Sequence, residues 1–337
     1  METLKDKKVL VSGASMAGLS TAFWMNKLGY KVTVVELANE PRTAGAAVDL
    51  RGDTTDVVKR MGIFEQLKAN SLHVERIEFK NAEDVTEGSM MFGEGPPSDD
   101  IEIERDKFVA ILLDELKNNV EFIFNDSITA LNETKDAIQV TFKNGPQRSF
   151  DLVFGCDGIH SAVRKIWFGH ETEYSHFLGA YFSITIVNKL LVKQKTMQAF
   201  GVPDKAIMLN AYNNKTDIIF CFNSDVQQSK SFYFDKFCQI KMPSWTKGRV
   251  ALVGDAGYCA SPAAGMGASL SVSGAGALAD ALLKHQGNFE LAFHDYNQNL
   301  RPFIEEVQAI AELNVRENFI PRTEEAIRKR NTQTEPW

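Results

Sequence analysis

The stretch Val9-Leu10-Val11-Ser12-Gly13-Ala14-Ser15-Met16-Ala17-Gly18 joins a short apolar run to a glycine turn, then to helical spacing that reaches Leu28-Gly29. A second apolar run, Val32 to Val35, follows it. Strand, helix and strand in that order form a βαβ unit, with Gly29 as the natural helix stop. A turn that opens a helix at a strand end is where a dinucleotide pyrophosphate sits, held by backbone N–H groups and the positive end of the helix dipole. Gly13, Ser15, Met16, Ala17 and Gly18 are therefore candidate cofactor-binding residues. Ser15 stands where a second glycine normally admits the phosphate, and its small hydroxyl can donate to that phosphate instead. Glu36 lies 18 positions beyond Gly18, at the end of the second strand, where a carboxylate can bind both hydroxyls of an adenosine ribose. The plainer alternative is a tight strand-to-helix turn with a surface glutamate.

Outward from this unit the alternation continues. Thr54 to Leu67 and Lys107 to Lys117 carry helical spacing, while Val120 to Phe124, Ala137 to Phe142 and Leu152 to Phe154 read as strands. This predicts an α/β protein with a mainly parallel sheet and helices on both faces. From Phe177 to Phe237, β-branched and aromatic residues dominate, which predicts a mostly antiparallel β layer. Its phenylalanines suit a core or a substrate lining equally. After Val250 to Val253 the chain returns to helix, through the small-residue stretch Gly267 to Lys284 and then Phe289 to about Arg330, with interruptions expected at Pro302 and Pro321.

The 337 residues suit two domains. Residues 1–72, 98–173 and 244–337 read as a discontinuous nucleotide-binding domain with C-terminal helices, and 73–97 with 174–243 as a smaller substrate domain. Lys+Arg 37 against Asp+Glu 44 leaves a net charge of −7, which lacks the basic footprint of a nucleic-acid binder. The 44% hydrophobic and 24% charged content is that of a folded globular chain. No apolar run is long enough for a membrane span, and Asp280, Lys284 and several hydroxyls argue against one in the small-residue helix. A charged start ahead of the first strand, without a signal-peptide core, points to the cytoplasm. Cys156, Cys221, Cys238 and Cys259 are widely spaced and read as reduced thiols. The six histidines are scattered without metal spacing, and no GxSxG elbow is present, so neither a metal site nor a serine nucleophile is expected.

Two further motifs carry a family resemblance. Asp151-Leu152-Val153-Phe154-Gly155-Cys156-Asp157-Gly158-Ile159-His160-Ser161-Ala162-Val163-Arg164 resembles the DG motif of the class A FAD-dependent aromatic monooxygenases. Gly248 to Tyr258, containing Gly254-Asp255-Ala256, with Ser261-Pro262-Ala263-Ala264-Gly265-Met266-Gly267 after it, resembles their GD motif. Gly45 to Gly52 and Glu102 to Phe108 are similar to segments of the tetracycline-inactivating members. The resemblance implies a para-hydroxybenzoate hydroxylase-like fold, with a Rossmann-like FAD-binding domain. It implies ribityl binding by Asp255, passage of Pro262, Gly265, Met266 and Gly267 beneath the flavin ring, and FAD contacts from Asp49 and Arg105. It further implies that Asp157 shapes the pyrophosphate region and that Arg42 meets NAD(P)H. For Arg105 the residues alone leave open a surface ion pair with Glu102 or Glu104.

The activity implied is NAD(P)H-consuming hydroxylation of an aromatic or polycyclic small molecule by O2, through a flavin C4a-hydroperoxide, in a monomer or homodimer. No catalytic side chain is named, because the cofactor carries the chemistry. A reductase or dehydrogenase that oxygenates nothing, and a non-enzymatic binding protein on the same fold, are the alternatives. Tyr258, Met266 and Ser269 depart from the residues usual at those positions, which leaves substrate scope open. The join near residues 225–231 looks short for the family, as for a real deletion or an omitted segment.

Overall fold

The computed structural model describes residues 6–42, 45–91, 98–223 and 235–332; the join near 225–231 lies outside them. Strand Lys8–Ser12 lies inside a six-stranded sheet. The spatial order is Thr246–Lys247, Val250–Leu252, Leu152–Gly155, Lys8–Ser12, Lys31–Val35 and Glu121–Ile123. Every neighbouring pair is parallel except the first. Val9, Leu10 and Val11 are fully buried in succession, because a parallel sheet is covered on both faces and its strands have no polar side. Helix Met16–Lys27 makes the first crossover and packs on helix Gly267–Lys284. The small residues of the second helix permit that approach. No helix among the described residues is long and apolar enough to cross a membrane.

Two expected elements differ. The helical stretch from Thr54 to Leu67 is two helices, Thr54–Met61 and Phe64–Ala69, because Gly62 adopts a left-handed conformation (φ 84°) and caps the first. Pro302 interrupts nothing: helix Phe289–Asn314 runs straight through it. A mid-helix proline costs about 3 kcal/mol. Here the buried stripe of Phe293, Tyr296, Leu300, Ile304 and Val307 continues on both sides of it and offsets that cost. At Pro321 the helical run does end, before Glu324–Asn331 begins.

A seven-stranded sheet forms the second layer, in the order Asp235–Ile240, Ser175–Val187, Lys215–Asn223, Lys205–Tyr212, Thr196–Val202, Arg76–Lys80 and Thr86–Met91. One of its pairs, Thr196–Val202 with Arg76–Lys80, is parallel; the others are antiparallel. The register places Ile186, Asp217, Asn210, Met197 and Ile77 in one row across the sheet. A small sheet consists of Val48–Leu50, Ile101–Ile103 and Ser71–Leu72, and in it Asp49 stands directly opposite Glu102.

Candidate functional site

Three neighbouring parallel strands end in turns on the same edge, at Gly13, at Cys156-Asp157 and at Gly254-Asp255. Open α/β sheets bind their ligands at this edge. The first turn is held shut by its own backbone and by Glu36. Gly13 N donates to Val35 O (2.7 Å), and the buried Glu36 carboxylate accepts from Ala14 N (2.8 Å) and Ala38 N (3.0 Å). Part of the acceptor capacity of Glu36 therefore shapes the loop itself. A Cβ on Gly18 would lie 1.8 Å from the Gly13 carbonyl oxygen, so turn and helix meet backbone to backbone. The first helical bond runs from Leu19 N to Ser15 O, which leaves the N–H groups of Met16, Ala17 and Gly18 at the open helix end.

Arg105 reaches this edge from the start of helix Arg105–Leu116. Its Nη2 donates to Ser15 Oγ (2.9 Å), and its Nε is buried with no hydrogen-bond partner. Burial pulls the guanidinium below its usual range; Asp255 counteracts this and nearby Arg42 adds to it. The surface ion pair left open by the sequence is not formed: Glu104 instead accepts from Asn213 Nδ2 (2.7 Å) and Lys215 Nζ. Arg42 itself is exposed. Asp255 follows Gly254 (φ 68°), and burial pushes its carboxyl up, partly offset by Cys259 and Arg105.

Asp157 is likewise pushed up by burial, yet its contacts are with its own loop. It accepts from Ser161 Oγ and from Val163 N (3.1 Å), bracing the start of helix Ala162–Trp167. Arg164, in the same motif, has a role that local pattern does not reveal. Fully buried, it donates through Nη1 to Ala256 O (2.8 Å) and through Nη2 to Glu171 (2.9 Å), tying the DG segment to the GD segment. The distance of 92 positions to Ala256 hides it from any reading of neighbours in the chain.

The turn after Asp255 bends through Ser261 (φ 86°), a 3-10 turn at Pro262–Ala264 and Gly265 (φ 63°) before helix Gly267–Lys284 begins. Asp49 Oδ2 lies 3.8 Å from the place of a Cβ on Gly265. Ser269 holds that strand: its Oγ donates to Asp49 O (2.9 Å) and accepts from Arg51 N (3.0 Å). Tyr258 is buried, with its hydroxyl 2.9 Å from that of Tyr296, which donates to Leu252 O (3.0 Å). Both departures thus have structural roles beneath the strand ends. Among the described residues no cluster of His, Cys, Asp or Glu could hold a metal ion. A groove of about 840 Å³ beside helix Phe289–Asn314 contains none of these site residues.

A glycine-shaped turn, an open helix end, a buried arginine with an unpaired Nε and a buried acid at a strand end suit a phosphate-bearing, hydroxyl-bearing cofactor. The chain belongs to the family described as the FAD binding domain, whose model matches residues 6–243. It is 35% identical over 352 residues to an uncharacterized protein of Mycobacterium tuberculosis (strain CDC 1551 / Oshkosh), covering 92% of this chain and 94% of that one. It is 33% identical to a flavin-dependent monooxygenase of Legionella longbeachae serogroup 1 (strain NSW150), covering 95% and 91%. The structure of the tetracycline destructase Tet(51) superposes with a TM-score of 0.83 at 32% identity, covering 96% of this chain and 94% of that one. The protein is a FAD-dependent monooxygenase of this family.

Proposed function

We propose that the protein takes electrons from NAD(P)H and places one atom of O2 on an aromatic or polycyclic small molecule. One observation carries the reading: Ser15, Arg105 and Asp255 converge at the strand ends, with Arg105 Nη2 on Ser15 Oγ. On the face of the seven-stranded sheet that carries Asn210, Met197, Ile219 and Met208 are at least half-buried, which suits a flat, poorly solvated ring system.

In this reading Gly13, Ser15, Met16, Ala17, Gly18 and Glu36 hold the ADP half of FAD, and Asp157 braces the loop beside it. Arg105, Asp49 and Asp255 orient the rest, with Pro262, Gly265, Met266 and Gly267 beneath the ring. Arg42, exposed at the rim, meets NAD(P)H. Residues 1–72, 98–173 and 244–337 make the FAD-binding part, and 73–97 with 174–243 cover the substrate. Bound FAD supplies the electron transfer and oxygen activation. The chain's part is to hold the cofactor, to seat the substrate against the turn at Gly265, and to exclude water from the reacting centre. The tetracycline destructases among its structural relatives make tetracyclines the first compounds to try.

The test is a visible spectrum of the purified protein, then anaerobic NADPH, then O2 with a tetracycline and a panel of phenols. Flavin bands that bleach and return, with a product heavier by one oxygen atom, support the reading. Bleaching with hydrogen peroxide and no oxygenated product points to a reductase. A protein that stays colourless with FAD supplied rejects the proposal.

A further inference from the structure

Strand Ile101–Ile103 carries two carboxylates toward the large antiparallel sheet, and they are treated differently. Glu104, just beyond the strand, is paired with Lys215 and Asn213. Glu102 has no cation of its own. It stands opposite Asp49 in the antiparallel register, and like charges directly opposite one another are destabilising. Arg51, the cation that acts on Glu102, is spent on Asp49, with Nη2 3.1 Å from Oδ2. Asn210 approaches from the sheet, its Nδ2 3.4 Å from Glu102 Oε1, while its Oδ1 is fully buried without a donor. Asn210 is 5% exposed, so it is shielded from bulk water.

An ionised Glu102 would leave this arrangement with a surplus charge and an orphaned carbonyl. A neutral carboxylic acid corrects both, because acid and carboxamide close a two-bond ring: Nδ2–H to one carboxyl oxygen, and the carboxyl O–H to Oδ1. The geometry points to Glu102 and Asp49 as a pair that holds one proton between them, carried by Glu102 against the Asn210 amide, and so sets the charge beside the Gly265 turn. The other groups around it agree. Burial is the largest influence on Glu102, followed by Asp49, and together they push its carboxyl up to about 7; Asn210 and Arg51 act in the opposite sense. Asp217, which accepts from Tyr212 Oη (2.8 Å), adds to the negative field, and Asp100 raises Asp49 further. Two carboxylates sharing one site commonly behave in this way.

The consequence for function rests on the reading above, in which the cofactor ring lies over Gly265. The singly protonated pair, with one negative charge, favours the electron-rich, reduced cofactor, and the doubly ionised pair opposes it. Glu102 is thus a positioning residue for charge, and its proton, drawn from solvent, is linked to the reduction potential.

Two measurements decide this. Infrared difference spectra between about pH 5.5 and about pH 8.5 should show a carboxylic-acid carbonyl band that disappears near neutrality. The band should be absent in Glu102→Gln and shifted in Asn210→Leu, which retains the acid and covers the case of a poorly folding glutamine variant. A band unchanged in Glu102→Gln, or no carboxyl titrating near neutrality in the wild type, overturns the shared proton. In FAD-loaded protein, dye-linked reductive titration should give Glu102→Gln a higher midpoint potential than wild type at about pH 8.5 and the same one at about pH 5.5. Equal potentials at both pH values overturn the link to the cofactor. Failure to bind FAD would end the functional reading and that link together, while the infrared titration still decides the proton.

Discussion

The two large sheets bury their strands differently. In the six-stranded sheet Val9, Leu10, Val11, Val153, Phe154, Val250, Ala251 and Leu252 have no accessible surface, and at Gly13 and Gly254 the turns beyond them leave no room for an added methyl group. In the seven-stranded sheet Phe220 is 46% and Ile184 40% exposed, although both stand in paired strands, Phe220 between Ser183 and Ile207 and Ile184 opposite Ile219. In the proposed function the contrast separates two tasks. A cofactor cradle needs atoms fixed on both faces of a sheet, and backbone laid against backbone. A cover over a substrate needs continuous strand pairing and leaves many of its side chains free to vary.

Breaking the tie between two strand-end motifs should do the most harm. Arg164→Ala leaves Glu171 and the Ala256 carbonyl without their buried donor and should cost about 3–5 kcal/mol, read as a lower urea midpoint. An unchanged midpoint would show that the DG and GD segments are held by strand pairing alone. Next comes Asp255→Ala, which should weaken FAD retention by about 2 kcal/mol, measured as flavin lost on gel filtration. Its apoprotein should melt no lower than wild type, because a buried carboxyl has been removed.

Glu102→Gln sharpens the contrast at the junction of the sheets. Native Glu102 titrates near 7 against an ordinary value of 4.5, so between these pH values the folded state holds a proton that the unfolded chain has lost. Wild-type stability therefore falls as pH rises through this window and levels off above it. The glutamine variant should match wild type below about pH 4.5 and exceed it by about 3 kcal/mol above about pH 7.5, seen in denaturant midpoints across pH. The smallest effect is expected at Phe220→Ser, within about 0.5 kcal/mol by the same titration. A loss several times larger would mean that the exposed side chain is covered in solution.

Much of the cradle is legible in the sequence. The apolar run of Val9 to Val11, the turn from Gly13 to Gly18 and the Gly254-Asp255 end are local patterns, and their neighbours in space reinforce them. Glu36 is recognisable as an acid at the right strand end, but its bonds to Ala14 and Ala38 are not, since they depend on how the loop closes. The Thr54 to Leu67 stretch has helical spacing throughout, and only the left-handed Gly62 divides it. At Pro302 local propensity points to a break, and the buried stripe carries the helix past it.

What the sequence determined by itself is therefore the set of parts: a βαβ unit, two acidic strand-end turns, a β-rich middle and a helical tail. Hydrophobic period and glycine placement act over a few residues, and they decide local structure wherever burial agrees with them. Only the tertiary structure decided which parts meet. Arg105 finds Ser15 across 90 positions, Arg164 finds Ala256 across 92, and Glu102 finds Asn210 across 108 while facing Asp49 on the adjoining strand. Charge, desolvation and hydrogen-bond satisfaction are set by such encounters, and no local pattern in the chain records them.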